Sequence, residues 1–132
     1  MKKTMMCMYL GCLLFAPAVF ATPATDELMA QYKAQGAGKP DAAKARQDWT
    51  RKVQTEDGEL ACATCHGTDL TRSGEHHKTH KVIEPMSRKV NAERFTDVKK
   101  IEKWFKRNCK DTWGRECTPQ EKTDFLTFLL AQ

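Results

Sequence analysis

No stretch of this 132-residue sequence alternates apolar and polar side chains with a period of two, and no segment repeats. The first absence argues against a sheet-based core, and the second excludes a repeat array. A strong excess of one charge is missing as well. Beyond the first 21 residues, 20 Lys and Arg face 17 Asp and Glu, a formal +3 spread along the chain. That balance does not suggest a nucleic-acid binder. It reads most simply as a mixed solvated surface, with a mild bias toward an acidic partner. Methionine is scarce, since the same 111 residues hold only Met29 and Met86.

The opening residues read as an address rather than as part of a fold. Lys2 and Lys3 precede the apolar run "MMCMYLGCLLFAPAVF", and Val19-Phe20-Ala21 offers small residues where a signal peptidase cuts. Gly11 and Pro17 interrupt the run, which argues against a permanent membrane anchor. Cys12 in "YLGC" is the residue a lipoprotein would acylate, but the apolar run continues well past it. The expectation is a signal peptide over residues 1–21, removed on export, and one periplasmic domain over 22–132 with no stable membrane insertion. So short a domain buries only a modest core, and a cofactor or cross-link would help to hold it.

Helical signals dominate the rest. Thr22 to Ala34 carries Asp26-Glu27 early and Leu28, Met29 and Tyr32 on one side, which predicts a short helix that "QGAGKP" breaks. Pro40 opens a second helix through "DAAKARQDW", with Trp49 near its end. A brief helix over Glu59 to Cys65 feeds the polar, glycine- and histidine-bearing segment Gly67 to Val90, which reads as a long loop. Asp97 to Cys109 forms another helix, and Thr118-Pro119-Gln120-Glu121 is a capping box that opens the last. The class is all-α.

Four cysteines survive removal of the leader: Cys62, Cys65, Cys109 and Cys117. "CATCH", Cys62 to His66, is the signature of c-type haem attachment. Cysteines three apart on one helical turn can each add to a vinyl group of one porphyrin, and the next residue, His66, then lies under the iron as proximal ligand. A zinc site would have to recruit Cys62, Cys65 and two of His76, His77 and His80, and no second Cys-x-x-Cys is present. A redox dithiol would want strands around it. One signature means one haem. With Cys62 and Cys65 committed to it, Cys109 and Cys117 are left to pair in an oxidising compartment. Closing so short a loop is worth about 2–3 kcal/mol on the chain-entropy argument.

The sixth position on the iron is the open question. Val98, Ile101, Trp104 and Phe105 recur at helical spacing, and Asn108 falls near the centre of that stripe. An amide facing the core without a partner costs roughly 1–3 kcal/mol, unless Asn108 merely caps a fraying helix end. Electron-transfer cytochromes usually place Met or His opposite the proximal His. Met86 in "IEPMSRKV" is therefore a candidate, as are His76, His77 and His80, whereas Met29 sits in the first helix and reads as packing. Trp104 and Phe105 share the Asn108 face, as pocket walls or as ordinary core.

"CATCHG", followed by "RFTDVKKIEKWFKRNCKDTWGRECTPQEKTD", closely resembles the sphaeroides haem protein (SHP) family of cytochromes c, over roughly Glu59 to Leu130. The resemblance implies a small class I cytochrome c-like helical fold around one covalently bound haem c. It also implies Cys62 and Cys65 as thioether residues, His66 as proximal iron ligand, Asn108 as an unusual distal ligand, and a Cys109–Cys117 disulfide. Reduction would release Asn108 and open a site for O2, NO or CO. The implied electron donor is a dihaem cytochrome c, fed by a membrane b-type cytochrome. A simple electron carrier with a permanent Met or His ligand, and a haem enzyme acting on NO, O2 or a small oxyanion, remain the alternatives. The sequence places no second catalytic carboxylate or histidine for such turnover.

Overall fold

Residues 20–132 are described in a computed structural model; the expected signal peptide falls almost wholly outside them. None of the described helices is long and apolar enough to cross a membrane. Each longer helix starts at a residue that the chain supplies for the purpose. α1, Pro23–Ala34, opens on a reciprocal pair: Thr22 Oγ1 accepts the Thr25 N–H at 3.1 Å, and Thr25 Oγ1 accepts the Thr22 N–H at 2.8 Å. In α2, Ala42–Thr50, the Asp41 carboxylate accepts the Lys44 N–H at 2.9 Å. α4, Val98–Trp113, is capped by Asp97 through the Lys100 N–H at 2.7 Å, and α5, Pro119–Leu130, carries the expected Thr118/Glu121 capping box. These side chains satisfy backbone donors that a helix start otherwise leaves open.

Two departures from the sequence expectations lie around the haem signature. Glu59 and Leu60 are not helical: β2, Gly58–Leu60, pairs antiparallel with β1, Val53–Thr55. Helix α3 is only Cys62–His66. The long loop after it holds a second small ladder, β3 Gly74–Glu75 against β4 Val82–Ile83. Strands of two or three residues are too short for a period-two pattern to register. The fold remains helical, and α4 runs past Cys109 to Trp113.

α5 packs against α2 and α1, α4 packs against α1, and α3 rests on α2. One apolar cluster gathers Trp49, Leu70, Phe125, Phe128, Leu129 and the bonded Cys109–Cys117 pair. A second joins Leu28, Tyr32, Ile101 and Leu126, and Phe95 and Phe105 pack against both. Met29 packs against this second cluster, as a core side chain would.

The start of α5 is also held by charge. Arg115 donates to both Glu121 carboxylate oxygens, at 2.7 and 2.8 Å, and Glu121 accepts the Thr118 N–H at 2.8 Å. The Arg115 bonds, opposed by partial burial and helped by Thr118, hold the Glu121 carboxyl down at about 2. The folded value lies below the ordinary 4.5. The stabilisation is therefore complete above that pH and is lost as pH falls toward the folded value. Thermal melts should show the mature protein losing stability over that interval. Glu121→Gln should melt lower at pH 7 and vary less with pH; an unchanged slope would exclude the pair as its source.

Candidate haem site

A cleft of about 840 Å³ is bounded by α3, by α4 and by the segment between them. That volume lies within the range of pockets that hold organic cofactors, about 300–1,000 Å³. α3 supplies the attachment residues. Thr64 starts it, accepting the Ala61 N–H at 2.9 Å through Oγ1. Gly67 ends it at φ 71°, ψ −176°, a conformation that essentially only glycine adopts. Within that single turn Cys62, Cys65 and His66 all line the cleft, and the two thiols are not bonded to each other. Burial pushes the Cys62 thiol up to about 12, so it stays protonated at neutral pH.

Burial, with Arg94 second, lowers His66 to about 4, which leaves a neutral imidazole with a free lone pair at pH 7. Its Nδ1 is buried without a hydrogen-bond partner. Trp49 braces the ring at 5.5 Å between centroids and donates its indole N–H to the Gly67 carbonyl at 2.8 Å. Arg94 is half-buried at the cleft, its Nε bonded to the Pro85 carbonyl at 2.8 Å. Neither Trp49 nor Arg94 stood out in the sequence, because nothing in its local pattern says which loop a lone Trp or Arg will clamp.

Gly74 was equally silent. β3 passes so close to α3 that a Cβ at Gly74 would sit 2.0 Å from the Cys65 carbonyl oxygen. Phe95, another cleft residue, has φ 61°, a left-handed conformation uncommon for a bulky side chain.

Several candidates for the sixth ligand also reach the cleft. Asn108, Met86, His76 and His77 line it, together with Trp104 and Phe105. His80 is not among the lining residues; it is exposed and pairs with Glu75 at 2.7 Å. His77 turns Nδ1 toward Cys65 Sγ at 3.5 Å, on the attachment side. Met86 packs against the Trp49–Leu70 cluster. Asn108 does not point into the core as its place in the stripe implied. The buried positions of α4 are Ile101 and Cys109, while Asn108 is exposed along the cleft, and its amide finds no hydrogen-bond partner among the described residues. The stripe is wider than the core requires, and its extra breadth faces the cleft. Cys109, the next residue, is bonded to Cys117 with Cα atoms 5.6 Å apart, and both line the cleft.

The donor set fits a covalently held haem. Two free thiols and a neutral imidazole share one helical turn beside a cleft of the right size. Among the described residues, no group of three or more His, Cys, Asp and Glu is placed to hold a bare metal ion. Fold and site together define a monohaem c-type cytochrome. Comparison with known proteins places it further. A family model described as a domain of unknown function, DUF1924, matches residues 35–129. The cytochrome c-type protein SHP of Cereibacter sphaeroides is 38% identical over 93% of this chain and 95% of its own. Cytochrome c'' of Methylophilus methylotrophus is 40% identical over 64% of this chain and 59% of its own. The oxidised SHP structure, described as an oxygen-binding cytochrome c, superposes with a TM-score of 0.74 at 39% identity, covering 81% of this chain and 96% of that one. Oxidised cytochrome c'' gives 0.70 at 33% identity over 81% and 93%. The chain belongs to the SHP family of cytochromes c, and its cofactor is one covalently attached haem c.

Gly74→Ala should force β3 away from α3, at a cost of about 1–3 kcal/mol or more. The check is haem content per mole of purified protein together with the melting temperature. Trp49→Phe, which removes one hydrogen bond while keeping most of the ring, should cost about 1 kcal/mol. A loss of haem content greater for Trp49→Phe than for Gly74→Ala would contradict this ranking.

Proposed function

We propose that this chain is an exported, periplasmic electron acceptor that binds a small diatomic ligand when reduction releases Asn108 from the iron. In this reading residues 1–21 are the signal peptide, 22–132 form the single haem domain, His66 is the proximal ligand and Asn108 the distal one. The observation that carries it is the exposed, unpartnered amide of Asn108 in the cleft that also holds His66. Two findings on relatives support it. One solved relative is described as oxygen binding, and a solution structure of cytochrome c'' is described as bearing on haem-ligand detachment.

Haem iron supplies one-electron redox chemistry and a coordination position for a diatomic molecule. Asn108 contributes a hard, neutral amide oxygen, which suits the ferric charge and suits the softer ferrous state poorly. If released, the same side chain would offer an N–H pair able to donate a hydrogen bond to a ligand bound in the cleft. The Cys109–Cys117 bond limits how far Asn108 can withdraw. Trp104 and Phe105 line the same cleft. The electron donor in this reading is a dihaem cytochrome c, itself supplied by a membrane b-type cytochrome.

A second reading is favoured by Met86, which lines the same cleft. A permanent thioether ligand would make the protein a plain electron carrier. Absorption spectra of the ferric and dithionite-reduced protein, with and without carbon monoxide, separate the two. The gated reading expects a reduced form that responds at once to carbon monoxide, and an Asn108→Ala variant with altered ferric bands and an intact carbon monoxide response. A reduced spectrum indifferent to carbon monoxide, changed by Met86→Ala and not by Asn108→Ala, would establish Met86 instead.

A further inference from the structure

We propose that the electron donor docks through an acidic surface onto the exposed face of α4 around Trp104, covering the mouth through which the diatomic ligand enters. The inference rests on the gated reading above and adds a partner surface to it. Charge is distributed far less evenly than the sequence suggests. α4 carries six Lys and Arg against Glu102 and Asp111, a formal +4. The other residues of 22–132 hold 14 basic and 15 acidic side chains, a formal −1. The whole positive excess of the mature chain therefore stands on one helix.

Glu102 is turned away from this face, held by Lys122 at 2.9 Å and by the Tyr32 hydroxyl. Of the six cations, only Lys106 forms an ion pair among the described residues, with Glu116 at 3.8 Å. Lys103 and Arg107 instead lie over the Trp104 ring, at 5.7 and 5.3 Å from its centroid. An indole that is 41% exposed and flanked by two unpaired cations has the composition of an interface anchor.

Position gives the face its meaning. Lys100, Trp104 and Arg107 line the haem cleft together with Asn108, and Val82, 68% exposed, lines it too. The carboxylates lining the cleft are Glu84, Glu93 and Asp97 in the segment before α4, where Lys81 and Arg94 also line it, and Asp111 on α4 itself; Asp97 is engaged in capping the helix. An acidic donor is drawn to this face by the cations of α4, whereas the other rim carries charges of both signs. One electron leaves the reduced donor and reduces the ferric haem by one. The donor must then leave before a gas molecule can pass Trp104. Electron delivery and ligand entry become sequential events at one opening.

The haem-loaded protein tests this with two acidic probes, poly-L-glutamate and reduced flavodoxin. Nitrogen-15 shifts of the ferrous carbon monoxide form, titrated with poly-L-glutamate at low salt, should move at Lys100, Lys103, Trp104 and Arg107. Reduction by flavodoxin should slow about tenfold or more between low and high salt. Lys103→Glu/Arg107→Glu should lose the low-salt advantage, while Lys33→Glu/Lys39→Glu, of equal net charge, keeps it. Carbon monoxide binding to the reduced protein should slow at least about threefold with poly-L-glutamate at low salt and recover at high salt. Equal effects of the two double variants, or shifts centred elsewhere, would overturn the docking face. Carbon monoxide kinetics indifferent to the probe would overturn the shared opening. Sedimentation of the protein with phosphatidylglycerol vesicles, abolished by Lys103→Glu/Arg107→Glu, with no shifts from poly-L-glutamate, would assign the face to a membrane and overturn the proposal. The carbon monoxide response without any probe reports on Asn108 gating alone, so the two claims fail separately.

Discussion

The bond between Cys109 and Cys117 is the constraint on which the site depends. It joins the last turns of α4 to the residue before the α5 cap, and both sulfurs are buried in the cluster that also contains Trp49 and Phe125. That cluster is the floor on which α3 rests. One covalent link therefore connects the helix bearing Asn108 to the core that positions His66. A disulfide acts chiefly by restricting the unfolded chain. Here its position adds a second consequence, because Asn108, the proposed distal ligand, is its immediate neighbour and inherits its limited freedom.

Around that link the two sides of the cleft are built differently. The α3 side is closely packed: His66 is half-buried, neutral at pH 7, braced by Trp49 and approached by a strand too closely to admit a side chain at Gly74. The α4 side is open, with Asn108 and Trp104 exposed and Asn108 unpartnered. A closely packed His66 and an unpartnered Asn108 suit the proposed ligand-exchanging site, whereas a permanent electron carrier would be better served by packing on both sides.

Much of this was legible in the residues themselves. The haem attachment turn, the capping box at Thr118 and the helical class follow from local chemistry, and local chemistry survives into the fold. That Asn108 has an unusual place was legible, though for a partly mistaken reason. Its place in the apolar stripe suggested a buried amide, but the stripe serves two surfaces, and Asn108 belongs to the cleft rather than to the core. The two short ladders were not legible, since a strand of two residues has no period. Trp49, Arg94 and Gly74 were not either. Each matters through a contact with a residue distant in sequence or in another element, and single-residue chemistry carries no trace of such a contact. The concentration of charge on α4 was present in the sequence but looked diffuse until the bounds of the helix were known and Glu102 was seen to be engaged by Lys122 and Tyr32.

The most direct measurement of the central claim is a pair of crystal structures of the haem-loaded protein, ferric and then reduced in the crystal without added gas. The account expects Asn108 Oδ1 bonded to the ferric iron and withdrawn from the ferrous iron, with His66 in place in both and the Cys109–Cys117 bond intact. Met86 or a histidine on the iron in both states, with Asn108 turned to solvent throughout, would contradict it.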